Sequence, residues 1–276
     1  MKLGMNTFFV MKFERDEALQ FCREIGVTAL ELAAIGPAAK RFCDIDRLLG
    51  DSEARNRWLD NYANLGFEIY SFAAHGSPLH PDNQIAETYS RQFRNVCTFM
   101  EKIGATRLCL VAGLPEGREG DTLPNWIVNT DLPGSDLLKD ALEWQWNERL
   151  LPYWREHGKF AADHGVTLCF EMQVNDMIHN PVKLRQLRDE IGPVVASNFD
   201  ISHMWAQKID PLEAIHYLGD LIQAVHLKDT LIHAPNARLR GLMDTTHPLH
   251  PDKRAWSFTL PGWGHDERTW REVITA

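Results

Sequence analysis

The stretch Asp163-His164-Gly165-Val166-Thr167-Leu168-Cys169-Phe170-Glu171 decides how the rest of the chain is read. Its glycine stands where an amphipathic helix has to end, because glycine enters the left-handed conformation that closes a helix C-terminus without a steric cost. The run after it is short and almost wholly apolar, as suits a strand covered on both faces, and it ends on a carboxylate. The same unit recurs along the chain. Glu24-Ile25-Gly26 precedes such a run at 27–32, Asn64-Leu65-Gly66 at 67–74 and Lys102-Ile103-Gly104 at 105–112. Glu190-Ile191-Gly192 precedes one at 193–200, and Tyr217-Leu218-Gly219 one at 221–228. The helices carry apolar stripes at three- and four-residue spacing, such as Ala18, Leu19, Cys22 and Ile25, or Phe93, Val96, Cys97, Met100 and Ile103.

Strands that alternate with helices in this way make parallel βαβ units. An opening strand at 2–7 brings the count to seven. The fold expected is α/β, a (β/α)8 TIM barrel, in one domain over residues 1–276. An open doubly wound sheet is the alternative, but Met5-Asn6-Thr7-Phe8-Phe9 has none of the glycines of a dinucleotide-binding turn. After the seventh strand comes a long loop, 229–266, then one helical start at Arg268–Ile274, and no eighth strand. Seven strands leave two raw edges, which is a liability, so a C-terminally incomplete barrel is expected. A second long loop spans 113–140. Both loops fall at the C-terminal face, where barrels build their active sites.

Composition narrows the function. The net charge is −9 and no basic run exceeds two residues, against a protein that grips nucleic-acid backbones. No apolar run approaches a membrane span, and the N-terminus lacks a secretory layout, so a cytoplasmic protein without a membrane partner is expected. The five cysteines, Cys22, Cys43, Cys97, Cys109 and Cys169, are odd in number and contain no CxxC pair. They read as small buried hydrophobes, not as a disulfide frame or a zinc site.

Groups able to bind metal or move a proton stand at the ends of successive apolar strands. The third ends on Ala74-His75, the fifth on Phe170-Glu171 and the sixth on Phe199-Asp200, with Ser202-His203 beyond. The seventh ends on His226-Leu227-Lys228-Asp229. Singly, each has a plainer use: Glu171 as an ion-pair partner, Asp200 as a helix cap, His226 as a satisfied core histidine, His75 and His80 as partners of loop backbone, Lys228 and Asp229 as a solvated pair. Together, Glu171, Asp200 and His226 make a mixed oxygen and nitrogen set suited to Mn2+ first, or to Mg2+, Co2+ or Zn2+. A carboxylate at a packed barrel mouth loses hydration and needs a cation or a partner.

Leu168-Cys169-Phe170-Glu171, Asn198-Phe199-Asp200-Ile201-Ser202-His203 and Val225-His226-Leu227-Lys228-Asp229 resemble the xylose-isomerase-like superfamily of barrels, the sugar phosphate isomerase/epimerase family. The segments His75–Pro81 and Gly262–Asp266 resemble a bacterial branch of it. The resemblance covers essentially the whole chain. It implies that Glu171, Asp200 and His226 are metal ligands, that a fourth ligand is a Glu of an eighth strand, and that His203 holds substrate hydroxyls. The activity so implied is isomerisation or epimerisation of a ketose or aldose by proton transfer through an enediolate. Glu171, His203 and Lys228 are then the catalytic candidates, and His75, His80, His203, Asp229, Trp263 and His265 the substrate-binding ones. The sugar is expected to lack phosphate, since no arginine cluster is evident.

Three other readings compete. The same chemistry with a leaving group at the β-carbon gives a lyase or dehydratase on a keto-sugar, keto-inositol or keto-glycoside. A non-catalytic sugar-binding subunit is a second. Abasic-site endonucleases share this barrel, but they need a multi-zinc cage and a basic groove, against the net charge of −9. A homo-oligomer is compatible with everything above.

Overall fold

The computed structural model describes residues 2–36, 39–131 and 133–276. Leu132, which falls within the 113–140 loop read from the sequence, lies outside the described residues. Seven strands form one parallel sheet in chain order: β1 (Gly4–Asn6), β2 (Ala29–Ala33), β3 (Glu68–Ala73), β4 (Arg107–Leu110), β5 (Thr167–Glu171), β6 (Val195–Asp200) and β7 (Ile222–His226). This sequential order is what a succession of same-handed βαβ crossovers produces. The crossover helices include Arg15–Glu24, Ser52–Asn64, Asn83–Ile103, Leu151–Asp163, Pro181–Ile191 and Pro211–Leu218. Among the described residues β1 and β7 do not pair, so the barrel is open between them. None of the described helices is long and apolar enough to cross a membrane.

The main core lies between the sheet and these helices and contains Phe72, Phe93, Phe99, Trp154, Phe170 and Phe199. Trp154 is wholly buried, and its indole N–H donates to the Ala112 carbonyl at 3.0 Å. On the other side of the sheet the small side chains of Cys109, Cys169, Ala196 and Ala224 pack together. All five cysteines are buried free thiols, as the sequence reading expects.

Two irregularities aim the strand ends. Opposite β2, β3 carries one extra residue, Tyr70, so Leu30 pairs with Ile69 while Glu31 pairs with Ser71. Opposite β6, β7 carries one extra residue, Gln223, so Asn198 pairs with Ala224 and Asp200 with His226. A slip of one residue turns a strand's side chains to the other face. The Gln223 bulge therefore decides that His226 shares a face with Asp200. The bulges also meet: the Tyr70 hydroxyl donates to the Gln223 carbonyl at 2.9 Å. That contact between β3 and β7 shows how far the sheet has curled.

The segment 229–266, read from the sequence as an unstructured loop, is an ordered arm. Strand β8 (Asp229–Ile232) pairs antiparallel with β9 (Trp256–Thr259), and a helix over Ala234–Arg240 lies between them. Histidines, prolines and glycines interrupt its pattern and hide strands of only four residues. Asp229 ties the arm down. Its Oδ1 accepts from the Thr230 N–H and from His265 Nδ1, both at 2.7 Å. Its Oδ2 accepts from the N–H groups of Gly262, Gly264 and His265 and from Trp270 Nε1, at 2.9 to 3.1 Å. Burial would raise the pKa of this acid, but these donors hold it below its ordinary value.

Gly264 comes close to that knot. A Cβ there would lie 2.3 Å from the Thr230 carbonyl oxygen and 2.6 Å from Asp229 Oδ1. Gly264→Ala should destabilise the arm by roughly 1–3 kcal/mol. Limited proteolysis is expected to cut the variant within 233–262 well before the wild-type chain, and equal rates would contradict this account of the arm.

Candidate metal centre

Glu171, Asp200 and His226 end β5, β6 and β7. One ligand atom from each lies within 4.8 Å of the others. Three donors spread evenly around one ion at 2.0–2.2 Å stand at most about 3.8 Å apart, so about an ångström of closure or less completes a shared site.

Asp200 performs two tasks at once. Its Oδ1 caps the helix Ile201–Ala206, accepting from the Ser202 N–H at 2.9 Å and the Ser202 hydroxyl at 2.6 Å. Its Oδ2 is buried without a hydrogen bond. Lys228 Nζ lies 2.8 Å from that oxygen, in ionic contact. The Lys228 ammonium supplies the positive charge this buried oxygen requires, a charge that a bound divalent ion would share, and the surrounding donors fit a hard or borderline ion.

Glu171 is buried and crowded by donors. Its Oε1 accepts from Gln173 Nε2 at 2.7 Å, with His203 Nε2 at 3.2 Å. Its Oε2 accepts from Asn198 Nδ2 at 2.9 Å and faces His75 Nε2 at 3.1 Å and His226 Nδ1 at 2.9 Å. Burial pushes the Glu171 pKa up, but His75, His203 and His226 together hold it well below the ordinary carboxylate value. For His226 burial disfavours the charge, yet Glu171 and Glu31 drive its pKa well above the ordinary one. Without a cation, imidazolium takes the positive charge that these carboxylates require.

The remaining sequence candidates divide. His75, His203 and Lys228 join the cluster. His203 Nε2 also faces Asp200 Oδ2 at 3.9 Å and is buried without an aligned hydrogen bond. His80 accepts the Asp82 N–H at 2.9 Å, a loop-backbone role. Asp229, expected at the substrate, is fully buried and spends both oxygens on its own arm. His265 is held by Asp229 and stacked on Trp205 at 3.9 Å between centroids. Trp263 is 70% exposed. The physical reason is common to these three: they belong to the turn that fastens the arm.

Four further residues at or near the site were not singled out from the sequence. Glu31 stands inside the apolar run Ala29-Leu30-Glu31-Leu32-Ala33 and accepts from His226 Nε2 at 2.9 Å. A lone acid inside a buried strand was the available signal. Asn198, two residues before Asp200, bridges Glu171 and His226. Phe258 of β9 reaches over the site from the arm: its ring centroid is 4.9 Å from that of His203 and 4.2 Å from Lys228 Nζ. The Lys228 ammonium thus sits between the Asp200 carboxylate and an aromatic face. Asp176, in the loop after β5, accepts the Gly113 N–H at 2.8 Å and the Ile178 N–H at 2.9 Å, which joins the loops after β4 and β5.

The family model described as "Xylose isomerase-like TIM barrel" matches residues 19–276, and the chain belongs to that family. The uncharacterized protein YfiH of Bacillus subtilis (strain 168) is 29% identical over 277 residues, covering 100% of this chain and 88% of that protein. The crystal structure of AsbF from Bacillus anthracis, described as a probable 3-DHS dehydratase, matches with a TM-score of 0.64 at 16% identity, covering 100% of this chain and 90% of that one. The IOLI protein, solved with a bound zinc atom, matches with a TM-score of 0.63 at 13% identity, covering 99% and 85%. Structures of sugar epimerases share the fold as well.

Two outcomes follow from this geometry. His226→Ala should lower the divalent-metal content of the purified protein at least tenfold by elemental analysis while leaving its circular dichroism unchanged; retained metal would contradict the ligand set. Burial raises the Asp176 pKa to about 7, despite its backbone donors. A folded pKa above the unfolded value of ~3.9 contributes stability that is complete below about pH 4 and lost as the pH rises through about 7. Wild type should therefore lose stability relative to Asp176→Asn between pH 4 and 7 in thermal melts. A difference independent of pH would exclude this titration.

Proposed function

We propose that this chain is a divalent-metal-dependent isomerase or epimerase of unphosphorylated sugars. The observation that carries the reading is the convergence of Glu171, Asp200 and His226 within 4.8 Å around a buried Asp200 oxygen that has no hydrogen bond. These three residues would hold the ion, with Mn2+ the first choice and Mg2+, Co2+ or Zn2+ the others. When bound, such a cation supplies Lewis acidity that makes the C–H beside a sugar carbonyl acidic.

The chain's own residues account for the rest. Glu171, held ionised by His75 and His203, is the base that takes the proton and returns it. Lys228 is placed to stabilise negative charge on the substrate oxygen. His203 binds a hydroxyl through its Nε2, which faces Glu171 Oε1 at 3.2 Å without an aligned hydrogen bond. His75 is 30% exposed in its side chain and stands at the solvent side of Glu171, where it orients the incoming sugar.

One observation favours a second reading, a lyase or dehydratase on a keto-sugar. Glu171 is faced by His75 and His203, and Lys228 stands at the neighbouring Asp200; all three are able to protonate a leaving oxygen, whereas epimerisation calls for a base on each face of the reacting carbon. Product analysis separates the two. Ketohexoses and 3-keto-glycosides incubated with the Mn2+-loaded protein in deuterated water should gain one carbon-bound deuterium without losing a leaving group. Loss of water or an alkoxide would establish the lyase instead, and binding without exchange would establish a non-catalytic sugar-binding subunit. Glu171→Gln is expected to cut turnover by about 10²-fold or more; full activity in that variant would contradict both enzymatic readings.

A further inference from the structure

Glu31 lies outside the proposed ligand triad, yet it is buried at the same end of the barrel and comes from the opposite side. It belongs to β2, and its partner His226 lies 195 residues away on β7. A carboxylate placed there must be compensated or it destabilises the fold. Its donors are all within the chain. Oε1 accepts from Asn6 Nδ2 and from His226 Nε2, and Oε2 accepts from the Ser71 hydroxyl at 2.7 Å. The Asn6 amide is itself oriented, because its Oδ1 accepts the Phe8 N–H at 2.8 Å and so turns Nδ2 towards Glu31. Ser71 faces Glu31 because of the Tyr70 bulge.

Glu31, Cys109 and His226 also bring ligand atoms within 4.8 Å of one another, so this trio has to be weighed as a rival cation site. Its chemistry argues against it. Glu31 Oε1 is engaged by Asn6 and His226 and its Oε2 by Ser71, and Glu31 is not in the group that Glu171 and Asp200 form with His226. Cys109 would have to lose its proton to ligate, which its contact with Cys169 and its complete burial make costly by raising its pKa. Asp200 Oδ2, in the other group, is in ionic contact with Lys228 and has no aligned hydrogen bond. The two nitrogens of His226 have different surroundings: Nε2 meets Glu31 Oε1 at 2.9 Å, and Nδ1 faces Oε2 of Glu171, the residue grouped with Asp200, at 2.9 Å.

We propose that Glu31 is a positioning residue, which binds the Nε2–H of His226 and thereby presents the Nδ1 lone pair to a cation held by Glu171 and Asp200. The inference rests on the metal-centre reading above. An imidazole that donates one N–H to a carboxylate has its tautomer and ring orientation fixed and its other nitrogen made more basic. The strand-2 carboxylate thus works through His226 and does not itself touch the ion.

The test uses Zn2+ with the full chain. Calorimetric titration should give one Zn2+ per wild-type chain, and Glu31→Gln, which keeps the side-chain volume, should bind it about 10–100-fold more weakly with its melting transition retained. Long-range nitrogen–proton correlation spectra of the zinc form should show His226 as the Nε2–H tautomer in the wild-type protein. A purely structural Glu31 would leave both readouts unmoved. Affinity in Glu31→Gln within twofold of wild type overturns the inference, as does an Nδ1–H tautomer in the wild-type zinc form. Loss of binding as complete as in His226→Ala also overturns it, by making Glu31 a ligand. Should Glu31→Gln fail to fold, the wild-type tautomer decides alone. If the wild-type chain takes up no Zn2+, the metal reading falls and this inference with it; unchanged binding in a folded Glu31→Gln sinks this inference only.

Discussion

Three carboxylates, Glu31, Glu171 and Asp200, are buried together at one end of an apolar barrel, and the site's arrangement answers to the cost of keeping them there. Removing such a group from water costs several kcal/mol unless opposite charge and hydrogen bonds replace the lost hydration. Lys228 supplies one fixed positive charge, against Asp200. A divalent cation in the proposed site would supply the other two and leave the imidazoles neutral. In its absence His226 takes up a proton between Glu171 and Glu31. The same demand that stabilises the apoprotein through His226 thus marks where an ion belongs.

The barrel delivers this cluster by register as much as by fold. Its inner lining of Cys109, Cys169, Ala196 and Ala224 is narrow, and one extra residue in β3 and another in β7 turn Ser71 and His226 towards it. The arm then closes over one side. Asp229 gathers six donors from Thr230, Gly262, Gly264, His265 and Trp270, and the strand it fastens brings Phe258 onto Lys228 and His203. Residues of the arm that look reactive in sequence are, in space, fasteners.

Much of this was legible in the sequence, for identifiable reasons. Glycine after a helix and an apolar run after the glycine are local signals, so all seven parallel strands and their order could be read. Glu171, Asp200 and His226 stood out because each ends such a run, and a strand end has a known place in a barrel. Glu31 sits in mid-run, where a single acid gives no hint of the partner 195 residues away. Asp229 and His265 were read as site residues because a short sequence distance from His226, or a cluster of polar residues, does not tell which way a turn folds back. The bulges at Tyr70 and Gln223 leave no mark in the sequence, since each is a pairing choice between two strands. The β8–β9 hairpin was hidden by its length.

The central claim is that Glu171, Asp200 and His226 share one cation at the mouth of the barrel. Anomalous diffraction from crystals of the full chain grown with Mn2+ tests it most directly. A single strong peak about 2.0–2.3 Å from a carboxylate oxygen of Glu171, one of Asp200 and Nδ1 of His226 is the result this account requires. Full manganese occupancy elsewhere, with hydrogen bonds among these three side chains left intact, would contradict it.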